Sequence, residues 1–295
     1  MSRISFVVVL LLTLLAPPNA IAQEVDVYSW PHRAEPSHDY DVLHYRIELR
    51  FDEETKSFWG RTTITLTPLA DNFTTCVLDA ETFVVDRVEA SKSLEFEQAE
   101  GKLTVHLDEP AGYGEKVSFT VSYSATNVDV DSEKFGLSAD YDIGLDFKDA
   151  TDDNPQLINT LSWPQGARHW FPSFDHPSDR ATQEVIATVR DGYKVLSNGR
   201  LVSVTKGPQK GTHTWHWSQE KPHPTYLFVI VAGPYVVIED SLGNLPINYW
   251  VYEEAADDAM RSCHKTPEII QYFNKEFGFE YPWAKYDQIT SPGIG

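Results

Sequence analysis

Tyr40-Asp41-Val42-Leu43-His44-Tyr45-Arg46-Ile47-Glu48-Leu49-Arg50-Phe51 is the stretch that decides the fold. Leu43, Tyr45, Ile47, Leu49 and Phe51 alternate with His44, Arg46, Glu48 and Arg50. A strand turns successive side chains to opposite faces, so this period of two predicts a half-buried strand. The same alternation recurs on the C-terminal side at residues 61–69, in Leu103-Val105-Leu107 and in Val117-Phe119-Val121-Tyr123, with turn residues such as Glu100-Gly101 and Ala111-Gly112 between the runs. Short strands at this spacing predict antiparallel sheets packed face to face. A second group covers residues 183–189, 193–196, 212–217 and 226–231. The last run is continuously apolar and is expected to be buried on both faces. Asn198-Gly199 carries the residues of a tight hairpin turn.

Residues 124–159 interrupt this rhythm with many aspartates and no period, which predicts a long surface excursion between the two strand groups. Asp140, Asp142, Asp146, Asp149, Asp152 and Asp153 lie there without the glycine and glutamate positions of an EF-hand, so they read as a solvated acidic loop. Beyond Asp240 the texture changes. Residues 245–252 form one more strand pattern, and a weaker helical pattern covers 255–263. Thr266-Pro267-Glu268 then opens a helix, with Thr266 as N-cap and Pro267 at its first position. Its apolar stripe is Ile269, Ile270, Phe273 and Phe277, and Gly278 stands where a left-handed cap is needed. Residues 286–290 are again strand-like. So few elements cannot bury a core alone, and residues 241–295 are expected to open a second domain that is incomplete in this chain.

The chain has 295 residues with 24 Lys+Arg, 44 Asp+Glu, and 41% hydrophobic residues, enough for one or two globular domains. Its net charge of −20 repels nucleic-acid phosphates and anionic membranes, and no basic run offsets it. Residues 1–22 combine Arg3, an apolar run, Pro17-Pro18 and Ala20-Ile21-Ala22, the pattern of a signal peptide cleaved before Gln23. The apolar run is shorter than the ~20 residues of a membrane span. The expectation is a secreted or periplasmic protein with no span after cleavage. Cys76 and Cys263 are too few for a disulfide framework and read as small apolar residues.

Catalytic signatures are missing. None of the ten histidines starts an H-E-x-x-H helix, and no G-x-S-x-G elbow, Walker loop or G-x-G-x-x-G run occurs. His213 and His216 are three apart in a strand pattern and point to opposite faces, which makes them a poor ligand pair. The densest unusual stretch is Ser162-Trp163-Pro164-Gln165-Gly166-Ala167-Arg168-His169-Trp170-Phe171-Pro172-Ser173-Phe174-Asp175-His176-Pro177. Its prolines forbid regular structure, and its four large aromatic residues are expected to be buried. Arg168 and Asp175 are its natural ionic partners.

The strand opening at Tyr40, the segment Ala167-Arg168-His169-Trp170-Phe171-Pro172-Ser173-Phe174-Asp175-His176-Pro177, Leu196-Ser197-Asn198-Gly199, Tyr226-Leu227 with Gly233, and Phe277-Gly278-Phe279-Glu280-Tyr281-Pro282-Trp283-Ala284-Lys285-Tyr286-Asp287-Gln288 occur in one order. This ordered set resembles the N-terminal part of the zinc aminopeptidases of the aminopeptidase N family. The resemblance implies a mainly β fold: a saddle-like antiparallel N-terminal domain over residues 23–240, then, over 241–295, the first strand and helix of a thermolysin-like α/β catalytic domain that is truncated. It also implies that the zinc-binding H-E-x-x-H helix belongs to a catalytic region absent from this chain, so no zinc is expected to bind here.

In that family a Gln or Glu five residues before the position of Arg168 helps to hold the substrate's free amine. Trp163 stands there in this sequence, and Gln165 is the nearest polar residue. The resemblance therefore assigns substrate binding to Trp163 and Gln165, with peptides as substrates. An indole can attract an ammonium through its π face by roughly 0.5–2 kcal/mol. No catalytic and no metal-ligating residue is expected in this chain. The alternative is an aminopeptidase-like scaffold or protein-binding module without catalysis.

Overall fold

The computed structural model describes residues 38–128, 130, 143–152 and 154–291. All of them fall within one compact unit, Pro36–Gly295. The export segment expected at residues 1–22 lies outside the described residues, as do Asp140, Asp142 and Asp153.

In chain order the first strands are β1 (Tyr40–Asp52), β2 (Ser57–Pro68), β3 (Phe73–Asp79), β4 (Val84–Glu89), β5 (Glu95–Ala99), β6 (Lys102–Ala111) and β7 (Val117–Ala125). Then come β8 (Gly144–Lys148), β9 (Leu157–Leu161), β10 (Ala181–Arg190), β11 (Lys194–Ser197), β12 (Arg200–Lys206) and β13 (Thr212–His223). The last elements are β14 (Ile230–Gly233), β15 (Val236–Leu242), β16 (Leu245–Val251), α1 (Ala256–Cys263), α2 (Thr266–Phe277) and β17 (Tyr286–Ile289). The mainly β reading holds.

β1 sits inside a seven-stranded sheet of order β12-β13-β10-β1-β2-β7-β4. Its alternation buries Tyr45, Ile47 and Leu49 as expected. The phase breaks at Leu43, because a bulge between Val42 and His44 moves the buried set from Tyr40 and Val42 to the odd positions. β1 runs antiparallel to β2 but parallel to β10, so this sheet is mixed rather than wholly antiparallel. Three smaller sheets accompany it: β3-β6-β5, β11-β14-β9-β8 and β15-β16-β17.

Polar side chains pair across the outer face of the large sheet. Thr63 meets Thr120 and Thr188 meets Thr214, each at 2.8 Å, while Arg61 reaches Glu48 at 3.3 Å. His213 pairs with Asp191 at 2.8 Å and His216 with Glu184 at 2.9 Å, so the two histidines serve separate carboxylates.

Four local expectations change. The acidic excursion contains β8 and β9, whose Leu145, Phe147, Leu157 and Ile158 are buried in the main core. The two-residue alternation of β8 is hidden in the sequence by the aspartates around it. Within the described part, Asp146 faces Lys148 at 3.3 Å and Asp149 bonds Lys56 at 2.7 Å. Asn198-Gly199 is not a hairpin turn, because β11 pairs with β14 and β12 pairs with β13. The dipeptide carries the chain from one sheet to another, and a Cβ on Gly199 (φ +80°) would lie 1.9 Å from the Ser218 carbonyl oxygen. The apolar run at 226–231 starts as a 3-10 turn, Thr225–Leu227, and only Ile230–Gly233 is strand. Finally, Thr266 does not cap α2: its hydroxyl donates to Gln288 Oε1 at 3.2 Å, and Lys265 holds the cap position. Gly278 (φ 73°) closes the helix as expected, its N–H donating to the Asn274 carbonyl.

A second, small core joins Ile247, Tyr249 and Ile270. β16 has two faces, and its Trp250 belongs to the main core together with Tyr252 just beyond the strand. Of the α2 stripe only Ile270 is buried, while Ile269, Phe273 and Phe277 are exposed, as is the neighbouring Tyr272. No helix among the described residues is long and apolar enough to cross a membrane.

Candidate functional site

The site is built on the turn that follows β9. Ser162 anchors its first residue, donating to the Phe228 carbonyl at 2.7 Å and lying 3.1 Å from the Trp170 indole N–H that donates to it. The Trp163–Pro164 peptide is cis. Gly166 closes the turn with its N–H on the Ser162 carbonyl at 2.7 Å. A side chain there would place its Cβ 2.1 Å from the Leu161 carbonyl oxygen, so glycine is required. A 3-10 turn, Ala167–His169, then delivers Trp170 and Phe171 into the core. Phe171 stacks on Phe228 at 5.6 Å and meets Tyr45 edge-on at 5.4 Å.

Trp163 departs from the expectation of burial. Trp170, Phe171 and Phe174 are buried, whereas Trp163 is 51% exposed at the tip of the turn. The anchors at Ser162 and Gly166 set the backbone so that the indole faces solvent. Gln165 is half-buried on the same turn. The two residues assigned to substrate binding thus share one rigid loop.

Arg168 fastens that loop. Its Nε donates to Asp175 Oδ2 at 3.3 Å, and its own backbone N–H donates to the same oxygen at 3.2 Å. A terminal nitrogen lies 3.2 Å from both Asp79 Oδ1 and Glu81 Oε1. Burial works against the guanidinium charge, but Asp79 and Asp175 outweigh it and hold Arg168 above its ordinary value. Burial pushes the Asp175 carboxyl up, while the Thr225 hydroxyl, 2.8 Å away, and Arg168 pull it back. Next to Arg168, burial brings His169 down to about 4, so its ring is neutral at pH 7; it bonds Thr82 at 2.7 Å.

Asp79, Glu81 and Thr225 are the members of this arrangement that the sequence did not disclose. They lie in other elements, and no local pattern links them to Arg168. One residue before Phe228, Leu227 lines a cavity of about 320 Å³ that it shares with Asn198, His223, Trp283 and Lys285. Lys285 pairs there with Asp287 and lies 4.6 Å over the Trp217 ring. Burial lowers the lysine's pKa against the pull of Asp287. Among the described residues no three His, Cys, Asp or Glu side chains are grouped to hold a metal ion.

Residues 41–227 match the family described as the Peptidase M1 N-terminal domain. The chain is 26% identical over 152 residues to aminopeptidase N of Streptomyces lividans, covering 50% of this chain and 17% of that protein. It is 23% identical over 150 residues to aminopeptidase N of Acetobacter pasteurianus, covering 50% and 41%. It is 28% identical over 140 residues to human glutamyl aminopeptidase, covering 47% and 14%. The match thus spans less than half the length of each of these relatives. With the family's N-terminal domain matched over more than half of its residues, this chain belongs to the peptidase M1 family and carries the N-terminal part of it.

Proposed function

We propose that this chain forms the N-terminal wall of the substrate cleft in a secreted or periplasmic zinc aminopeptidase that hydrolyses peptide N-termini. The observation that carries the reading is the exposed Trp163 on a loop fixed by Ser162, Gly166 and Arg168. That loop presents Trp163 and Gln165 to a ligand, whereas its other aromatic residues serve the core.

In this reading the water-activating zinc belongs to a catalytic region beyond residue 295, and residues 241–295 open that region. The exposed face of Ile269, Tyr272, Phe273 and Phe277 is the surface such a region would cover. The residues present here bind and orient the peptide; none of them moves the proton or supplies the nucleophile. Export rests on the signal-peptide pattern of residues 1–22.

A second reading, a non-catalytic scaffold or protein-binding module, is favoured by one feature: an uncharged indole stands where the family places its amine-binding acid. The reading frame beyond codon 295, followed by chelator-sensitive turnover of alanyl-p-nitroanilide by its product, separates the two. An H-E-x-x-H helix with turnover supports the enzyme, and a stop codon with no turnover supports the scaffold.

A further inference from the structure

The chain after Asp240 leaves a space where it meets the sheets before it. This is the cavity of about 320 Å³, walled by Leu196 of β11, Val231 of β14 with Val229 just before that strand, Trp283, and Ile289 of β17. An apolar cavity of about 150 Å³ already takes a benzene ring, so this one admits a ring with a substituent.

Two features fix the chemistry of an occupant. His223, the last residue of β13, lines the cavity and is 3% exposed. Its Nδ1 lies 3.1 Å from the Lys221 carbonyl oxygen. A carbonyl oxygen only accepts, so Nδ1 carries the proton and Nε2 carries a lone pair. Nε2 is buried, and no donor among the described residues reaches it. Burial also lowers the pKa of His223, which keeps the ring neutral and Nε2 an acceptor. A buried acceptor without a donor is costly, so the cavity favours an occupant that brings one.

The second feature is charge. Lys285 and Asp287 line the cavity too, but they pair with each other, and Asp287 also accepts the Asn248 side-chain amide at 2.6 Å. The pair leaves no net charge for an ion to neutralise. A carboxylate or ammonium ligand would shed its water here without gaining a free countercharge.

We propose that this cavity binds a small neutral phenol or alcohol: an apolar body of ring size with one hydroxyl. The hydroxyl donates to His223 Nε2, and the ring lies against Leu196, Val231 and Trp283. Because the walls come from both sides of Asp240, the occupant joins β11, β13 and β14 to β17. The site is independent of the role given to Trp163.

The test is titration of the full chain with phenol and with toluene, read by calorimetry and by the ¹⁵N shift of His223 Nε2. The expected result is phenol binding with a Kd of about 1 mM or below, toluene binding at least about fivefold weaker, and an Nε2 shift with phenol alone. Benzoate and benzylamine should not bind there. His223→Phe keeps a ring and removes the acceptor, so phenol and toluene should bind that variant equally. Should it fail to fold, the ¹⁵N shift in the wild-type chain decides by itself. No phenol binding at ~10 mM, equal binding of phenol and toluene by the wild-type chain, or phenol binding that leaves Nε2 unmoved would overturn the site.

Discussion

Arg168 and Asp175 meet through two donors on one oxygen: the guanidinium Nε at 3.3 Å and the Arg168 backbone N–H at 3.2 Å both reach Asp175 Oδ2. The Asp175 side chain is 1% exposed and that of Asp79, on the other side of the guanidinium, is 6% exposed. Removing the cation leaves the buried Asp175 carboxylate without a countercharge, while Asp79 keeps Lys102 at 2.5 Å. Arg168→Ala should therefore cost about 3–5 kcal/mol in urea unfolding, with Arg168→Lys in between because it keeps the charge and loses the fork. A loss below ~1 kcal/mol for the alanine variant would show that the clamp is an exposed-type ion pair.

Gly199 gives a sharper geometric prediction. At φ +80°, and with the Ser218 carbonyl oxygen 1.9 Å from where a Cβ would stand, alanine fits only if the crossing between β11 and β12 moves. Gly199→Ala should destabilise by at least about 2 kcal/mol, whereas Gly192→Ala, also at positive φ but with open space around it, should cost only about 1 kcal/mol. Paired thermal melts of the two variants check this, and equal losses would contradict it.

The segment after Asp240 makes two contacts of different kind. Trp250 and Tyr252 enter the main core, Trp250 lies 6.4 Å from Trp217, and Tyr235 donates to the Thr290 carbonyl at 3.0 Å. Deleting residues 241–295 strips that cover from Trp217 and Tyr235, so the shortened chain should melt well below the full one. The exposed stripe behaves otherwise. Phe273→Ser and Phe277→Ser should change stability by less than about 1 kcal/mol and raise solubility, because those rings have no core to leave. Ultracentrifugation and melting of the three proteins distinguish the cases.

How far the sequence disclosed all this depended on whether the cause was local. Period-two runs such as Tyr45-Arg46-Ile47-Glu48-Leu49 carry their own burial pattern, and Gly278 carries its own cap, so those elements were legible. Asn198-Gly199 looked like a hairpin because its residue types suit one. Only the pairing of β11 with β14, set by distant residues, shows that the chain changes sheets there. β8 was lost for a related reason, since burial of Leu145 and Phe147 outweighs the polar composition around them. At the candidate site Arg168 and Asp175 were visible as neighbours, but Asp79 and Glu81 were not, because an ion pair across more than eighty residues leaves no local pattern. The exposure of Trp163 was also hidden: it depends on the Ser162 anchor to Phe228, 66 positions away.

The central claim, that the turn at Trp163 faces the substrate, is tested most directly by the KM for alanyl-p-nitroanilide of the catalytically competent protein carrying Trp163→Glu. Because the indole is 51% exposed, the substitution buries no charge, and the melting temperature should shift by no more than about 3 °C. A carboxylate there supplies charge-assisted hydrogen bonds to the substrate's free amine, worth roughly 1.5–3 kcal/mol against less from an indole. The account predicts a KM lowered by about tenfold, or ~1.4 kcal/mol, with kcat changed less. An unchanged or raised KM in a variant that melts like the wild type would contradict it, and would leave Trp163 an exposed residue outside the cleft.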